Sequence, residues 1–215
     1  MKHIKRNILI SIFLLMIISV INIYNAKYLN SLYTYYYIKD IIWYVLGFIT
    51  FFFITKINTK KIFNISFILY IINIILLILT LIIGKEINGS KGWLKIGSIS
   101  IQPSEFMKIS LVLIEAYIID KFSSKEKNAK NEFKLIALIF ITFLIPSILT
   151  FLEPDTGAVI IYFIITLLML FISGIRLRWF IIGISMLIII VASFLAFFFL
   201  KQDMFIKIFG SDFFY

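Results

Sequence analysis

The chain has 215 residues, of which 62% are hydrophobic and only 15% are charged. Charged residues make up about a quarter of an ordinary soluble domain, so the composition excludes that class and indicates an integral membrane protein. The sequence has no cysteine and a single histidine, His3, which excludes disulfides, thiolate chemistry and a histidine metal centre. The formal net charge is +10, but the basic residues are divided among short loops, so a nucleic-acid partner is not expected.

Seven apolar segments are long enough to cross the ~30 Å hydrocarbon core of a bilayer as helices. The sequence therefore predicts an all-α, polytopic helical membrane protein with about seven transmembrane helices. No internal repeat and no Pro- or Gly-rich linker divides the chain, which predicts a single transmembrane domain over residues 1–215. The apolar segments are residues 7–26, 41–57, 62–83, 103–119, 135–152, 156–175 and 179–200.

Lys and Arg are distributed unequally between the two sets of alternate loops. They are more numerous in the N-terminal tail and in the loops that follow the second, fourth and sixth segments. By the positive-inside rule, this distribution predicts a cytoplasmic N-terminus and outward loops at residues 28–40, 84–102 and 153–155. The basic cluster of residues 121–134 then faces the inner membrane surface, where anionic lipid headgroups are the expected partners.

A polar loop that contains Trp93 precedes the fourth apolar segment. Apolar and polar side chains alternate on either side of a turn signal at Gly97, which predicts a small hairpin at the membrane interface. Such a hairpin either only anchors the protein in the interface or also contacts a substrate. Lys91, Trp93 and Gln102 are its candidate binding residues.

Three charged residues, Glu105, Lys108 and Glu115, lie in the fourth apolar segment. Each costs roughly 2.5 to 3.5 kcal/mol at the centre of a bilayer, so we expect them to be paired or to line a wet cavity. At 100° per residue they fall within an arc of about 80°, which predicts one polar helix face. An ion pair between Glu105 and Lys108 is expected, and it either fixes helix packing or lines an outward-facing pocket for a polar headgroup.

The run Glu-Pro-Asp-Thr-Gly at residues 153–157 separates the fifth and sixth apolar segments. Asp155 is placed to cap the sixth helix, while Glu153 points elsewhere. Two carboxylates are too few ligands to predict a metal site, but they leave a divalent cation open as a cofactor. No other cofactor is expected.

Four motifs of the chain, in this order and spacing, resemble the RodA/FtsW/SpoVE (SEDS) family of bacterial membrane proteins. They are Lys-Gly-Trp-Leu-Lys-Ile-Gly at 91–97, Gln-Pro-Ser-Glu-Phe-Met-Lys at 102–108, Glu-Pro-Asp-Thr-Gly at 153–157 and Leu-Phe-Ile-Ser-Gly at 170–174. The resemblance implies a ten-helix enzyme of the bacterial plasma membrane that polymerises lipid II into peptidoglycan strands with a class B penicillin-binding protein. It places Glu105, Lys108 and Asp155 near the substrate cavity, and the turn at 174–179 favours the rod-elongation branch.

The chain departs from the pattern of this family at two positions of these motifs. Glu153 stands where the family usually has Gln, and Gly92 stands directly before Trp93 where the family usually has a basic residue. The resemblance also implies a catalytic Asp in an outer loop beyond the seventh helix, a motif that this sequence does not contain. We therefore expect an amino-terminal portion of the enzyme, with no catalytic residue of its own. The alternative is a transporter or flippase of the same lipid-linked precursor.

Overall fold

The computed structural model describes residues 2–28, 35–87, 89–97 and 99–200. The described residues contain seven α-helices and a three-stranded sheet, and the chain divides into two compact units, Met1–Ile62 and Phe63–Tyr215. The units are described one at a time below. The single transmembrane domain expected from the sequence stays a prediction.

The helices are longer at several ends than the apolar segments that predict them. For example, α2 begins at Tyr36 and α4 ends at Ser123, because the main-chain hydrogen bonds of a helix continue beyond the apolar segment at either end. The elements are α1 (Lys2–Ala26), α2 (Tyr36–Ile54), α3 (Thr59–Ile83), β1 (Lys85–Ile87), β2 (Ser90–Ile96), β3 (Ile99–Ile101), α4 (Pro103–Ser123), α5 (Ala129–Leu152), α6 (Thr156–Ile172) and α7 (Arg178–Leu200).

Five of these helices, α1, α2, α3, α5 and α7, are long and apolar enough to cross a membrane by length and composition. The sixth helix is apolar but has only 17 residues. The fourth, α4, falls short of this criterion because it carries Glu105, Lys108 and Glu115 together with charged residues in its last turn. The structure therefore confirms the all-α, polytopic membrane architecture.

In the first unit, α1 and α2 pack against each other. Ser19 donates a hydrogen bond of 2.9 Å from its Oγ to Oδ2 of Asp40, which joins the two helices. No described residue of α2 is buried. Apolar side chains that face outward on a helix of this length are typical of contact with lipid.

In the second unit, the core lies among α3, α4, α5 and α6. The buried residues of α3 recur every three or four positions, so one stripe of this helix faces inward. Tyr70 of that stripe donates a 2.9 Å hydrogen bond to the main-chain oxygen of Thr142 in α5. The core side chains are Tyr70, Leu77, Met107, Leu111, Ile114, Phe143, Ala158 and Tyr162.

The three strands form an antiparallel sheet in the order β1-β2-β3. Strands β2 and β3 form the hairpin predicted from the sequence, with Leu94 opposite Ile101 and a left-handed turn residue, Gly97, at a φ of 62°. The sequence did not predict β1, whose Lys85 lies opposite Trp93. The sheet lies at one end of α3 and α4, which we call the hairpin end of the second unit.

At the opposite end, Glu132 at the start of α5 binds the beginning of α7. Its carboxylate, 6% exposed, accepts bonds of 2.8–2.9 Å from Nε of Arg176 and of 2.8 Å from Nε1 of Trp179. Arg178 adds a contact of 3.3 Å. A carboxylate that receives several charge-assisted bonds is well compensated for its burial, so these contacts tie the α6–α7 turn to α5.

Candidate functional site

Asp155 is the centre of a polar cluster at the hairpin end of the second unit. Its Oδ1 accepts a 3.1 Å hydrogen bond from the main-chain nitrogen of Ala158, so the predicted helix cap is present. Its Oδ2 accepts bonds from Nε2 of Gln102 at 2.9 Å and from Oγ of Ser104 at 3.2 Å. The two motifs at 102–108 and 153–157 therefore meet at one carboxylate.

The cluster continues into the helix bundle through Tyr162. The hydroxyl of Tyr162 donates a 2.9 Å bond to the main-chain oxygen of Ser104 and lies 3.4 Å from Oγ1 of Thr150. Tyr162, Ser104 and Thr150 are all buried. Because buried polar groups are hydrogen-bonded in stable proteins, this chain of contacts fixes the start of α4 against α5 and α6.

Glu105 and Lys108 form the predicted ion pair, with Nζ of Lys108 2.7 Å from Oε1 of Glu105. The side chain of Glu105 is 56% exposed and that of Lys108 is 21% exposed. An exposed pair of this kind contributes little to stability, at most about 1 kcal/mol. Because both side chains are partly exposed, a ligand at the hairpin end can reach the pair.

Glu115 lies deeper in the helix bundle than Glu105 and Lys108. Its side chain is fully buried, and its Oε1 accepts a 2.7 Å bond from Oγ1 of Thr166 in α6. It lies seven residues beyond Lys108, which is about 10 Å along the helix. Helix periodicity predicted that Glu105, Lys108 and Glu115 lie on one face of α4. In the structure, α6 packs over this face at Glu115 and leaves Glu105 exposed. The expected continuous polar face is therefore covered by α6 at Glu115, and the place of Glu115 among the cavity residues stays a prediction.

Lys91 and Trp93 lie on β2, the middle strand of the sheet. The side chain of Lys91 is exposed and that of Trp93 is partly buried. The main-chain nitrogen of Lys91 donates a 3.2 Å bond to the main-chain oxygen of Glu153. The hairpin is thereby attached to the α5–α6 turn that carries Asp155, so the loop and the Asp155 cluster form one surface.

Glu153, for which the sequence predicted no contact, is fully buried beside the cluster. Its Oε1 accepts a 2.5 Å hydrogen bond from Oγ1 of Thr80 in α3. Burial raises the pKa of Glu153 to about 7; the bond from Thr80 opposes this rise, and the charge of Asp155 adds to it. The signal that could have found this contact is Thr80, which continues the inward stripe of α3 at a polar position.

Among the described residues, no group of three or more His, Cys, Asp and Glu side chains could hold a metal ion. The cluster can instead present amide and carboxylate groups from Gln102 and Asp155, which are partly buried, while the buried Ser104 supports Asp155 from within. Beside them lies the partly exposed pair of Glu105 and Lys108. Groups of this kind suit a ligand that combines sugar hydroxyls with negative charge.

Comparison with known proteins places the chain in a family. A family model described as "Cell cycle protein", built on FtsW, RodA and SpoVE, matches residues 5–210. The chain belongs to the FtsW/RodA/SpoVE family. The motifs at 91–97, 102–108, 153–157 and 170–174 all lie within this match.

Two curated relatives in the FtsW/RodA/SpoVE family carry the name "Probable peptidoglycan glycosyltransferase FtsW". The protein of Wigglesworthia glossinidia brevipalpis is 37% identical over 168 residues, which are 78% of this chain and 43% of the relative. That of Buchnera aphidicola subsp. Schizaphis graminum is 34% identical, over 74% of this chain and 44% of the relative. The chain thus spans less than half the length of these relatives.

Solved structures share the fold of the chain. One, described as "Structural coordination of polymerization and crosslinking by a peptidoglycan synthase complex", matches with a TM-score of 0.68 at 22% identity, over 85% of this chain and 53% of that one. The rod shape determining protein RodA of Thermus thermophilus matches with a TM-score of 0.54 at 26% identity, over 67% of this chain and 46% of RodA. These neighbours confirm that the helical arrangement is that of the family.

Proposed function

We propose that the chain is part of a peptidoglycan glycosyltransferase that polymerises lipid II. The observation that carries this proposal is the meeting of Gln102, Ser104 and Asp155 at the hairpin end, beside the partly exposed pair of Glu105 and Lys108. These residues come from the motif at 102–108, whose resemblance to the family is fairly specific, and from the motif at 153–157, which supports it. The names of the curated relatives support the same reaction.

In this proposal the hairpin end binds the headgroup of the lipid-linked sugar. Gln102 and Asp155 bind sugar hydroxyls, and Lys91 and Trp93 on the hairpin cover the sugar from the side of the sheet. Lys108 stabilises negative charge on the departing pyrophosphate, for which a cationic group is needed. A divalent cation that accompanies the pyrophosphate is part of the proposal, and metal dependence of polymerisation tests it.

Glycosyl transfer also needs a general base that removes the proton of the attacking sugar hydroxyl. We assign this role to no residue of the chain. The resemblance implies an Asp in the loop beyond the seventh helix of the family, and the matched region makes up only 43–44% of the two relatives. The site at the hairpin end is thus proposed as the binding half of the active site.

The proposed location is the bacterial plasma membrane, with the N-terminus in the cytoplasm and the hairpin end outside. The unequal distribution of Lys and Arg supports this orientation. Because this sequence has no cysteine, the labelling of a single introduced cysteine reports the side of the membrane on which that residue lies. A membrane-impermeant thiol reagent applied to intact cells should label Lys95→Cys on β2 and leave Lys134→Cys near the start of α5 unlabelled; the reverse pattern would contradict the orientation.

The proposed partners are lipid II, surrounding membrane lipids and a class B penicillin-binding protein. The solved peptidoglycan synthase complex, which by its description couples polymerization and crosslinking, supports an assembly of this kind. The turn at 174–179 favours the rod-elongation branch, whereas the relatives compared above carry the division-type name FtsW. Complementation of strains depleted of one or the other protein distinguishes the branches.

The deciding experiment is lipid II polymerisation by the purified full-length protein that contains this sequence. Glycan strands should form, and Lys108→Met should reduce their formation at equal amounts of folded protein. Movement of the lipid-linked headgroup across vesicle membranes without strand synthesis would overturn the proposal in favour of a flippase.

A further inference from the structure

Glu153 joins the α5–α6 turn to two neighbouring elements. Its main-chain oxygen accepts bonds from the nitrogen of Lys91 at 3.2 Å and from Oγ of Ser90 at 2.9 Å, so it holds the beginning of β2. Its side chain reaches α3, where Thr80 donates to Oε1 at 2.5 Å. One fully buried residue therefore links the turn, the middle strand of the sheet and the end of α3.

Two glycines allow these elements to approach one another closely. A methyl group at Gly92 would lie 2.9 Å from Oε2 of Glu153, and one at Gly84 would overlap the main-chain oxygen of Lys91. Real Cβ atoms do not show such distances, so a methyl group at position 92 would displace the carboxylate end of Glu153 from the place where Thr80 binds it. Gly92 and Glu153 are also the two positions at which the motifs depart from the family pattern.

The second carboxylate oxygen of Glu153, Oε2, indicates a packing role for this side chain. Oε2 is buried and has no hydrogen-bond partner among the described residues. A buried acceptor without a partner is unfavourable, so hydrogen bonding by Oε2 does not explain its position. The side chain is instead held by Thr80 on one side and by the main chain of Gly92 on the other.

Asp155 lies two residues beyond Glu153 in the same turn. Its main-chain nitrogen donates a 3.2 Å bond to the oxygen of Thr150, and its carboxylate receives Gln102 and Ser104. A displacement of Glu153 would move this turn relative to β2. We propose that Glu153 is a positioning residue, which packs against the main chain of Gly92 and thereby holds the Trp93 hairpin and Asp155 in one fixed arrangement.

The junction itself can be tested without reference to any activity. We would compare thermal unfolding of the full-length protein with Gly92→Ala, Glu153→Ala and the double variant. Gly92→Ala should lower the melting temperature, whereas in the Glu153→Ala background the same change should have much less effect, because the colliding oxygen is gone. Gly183→Ala in α7, where the added methyl group meets no atom within 4 Å outside its own stretch of helix, is the control for a change that causes no collision. Additive losses in the double variant would overturn the contact.

The positioning role rests on the proposed function, and its test is kinetic. Glu153→Ala should raise KM for lipid II by roughly tenfold or more at nearly unchanged kcat, since misplaced binding groups weaken binding. Glu153→Gln, which keeps the acceptor for Thr80, should restore KM. An unchanged KM in folded Glu153→Ala would overturn the role. If the parent protein makes no glycan strands, the proposed function fails, while the unfolding experiment still decides the junction.

Discussion

Gln102 donates a hydrogen bond of 2.9 Å from Nε2 to Oδ2 of Asp155, across 53 residues of sequence. Gln102 immediately precedes α4, and Asp155 caps α6. The bond therefore joins the beginnings of two helices at a point where a polar ligand can reach both motifs.

Replacement of Asp155 separates its capping role from its role in the cluster. Asp155→Ala should cost about 0.5 to 2 kcal/mol of stability for the lost cap. In Asp155→Asn, the side-chain oxygen can still accept the hydrogen bond from Ala158, which keeps the cap. The amide nitrogen then faces the donor groups of Gln102 and Ser104, which lose their acceptor. We expect Asp155→Asn to unfold near the temperature of the parent protein yet to bind lipid II more weakly. Equal affinity of parent and Asp155→Asn would contradict a binding role.

The ion pair of Glu105 and Lys108 should matter more for activity than for stability. Because the side chain of Glu105 is 56% exposed, loss of the pair in Glu105→Gln or Lys108→Met should cost less than about 1 kcal/mol. Polymerisation should nevertheless fall, measured per amount of folded protein. The exposed Lys134 at the other end of the unit offers the control Lys134→Met. Equal polymerisation by Lys108→Met and Lys134→Met would contradict a role of the ion pair in the reaction.

The buried contact of Glu115 and Thr166 should behave as a structural pair. Thr166→Val removes the bond to Oε1 and leaves the carboxyl group without a partner, since Oε2 has none among the described residues. We expect a loss of about 1 to 3 kcal/mol. Glu115→Met replaces the polar group by an apolar one of similar volume and should be neutral or stabilising. A large loss of activity in a stable Glu115→Met protein would place Glu115 among the functional residues.

Glu132 should determine how firmly the α6–α7 turn is held. Glu132→Ala leaves Arg176, Arg178 and the indole of Trp179 without their common acceptor, with an expected cost of about 1 to 3 kcal/mol. Both arginines are 45% exposed and can turn to water, which limits the loss. Glu126→Ala, at an exposed position nearby, is the control in thermal unfolding. Similar melting temperatures for the two variants would show that the contacts add no stability.

Stability should depend on pH through Glu153. Burial raises the pKa of Glu153 from its ordinary value of 4.5, which applies to the unfolded chain, to about 7 in the folded protein. The folded state therefore binds the proton more tightly than the unfolded state. This contribution to the free energy of unfolding is fully present below about pH 4.5 and is lost as the pH rises through about 7. Melting temperatures of the parent protein should therefore fall over this range relative to those of Glu153→Gln. Parallel curves would show that burial does not raise the pKa.

Local patterns in the sequence determined much of this architecture. The apolar segments predict every helix, because the length and apolarity needed to cross a bilayer are properties of a contiguous stretch. The alternation around Gly97 predicts the β2–β3 hairpin, the Asp before α6 predicts its cap, and three residues of spacing predict the pair of Glu105 and Lys108. Each of these features depends on residues close in sequence.

Only the tertiary structure decided which polar residues share a site. Helix periodicity gives Glu105, Lys108 and Glu115 one direction, but the packing of α6 buries Glu115 and leaves Glu105 exposed. Likewise, Thr80 and Gly92 are distant from Glu153 along the chain, and their contacts exist because α3, β2 and the α5–α6 turn meet at one end of the unit. Burial and contact depend on which elements become neighbours, a relation between distant segments that no local pattern encodes.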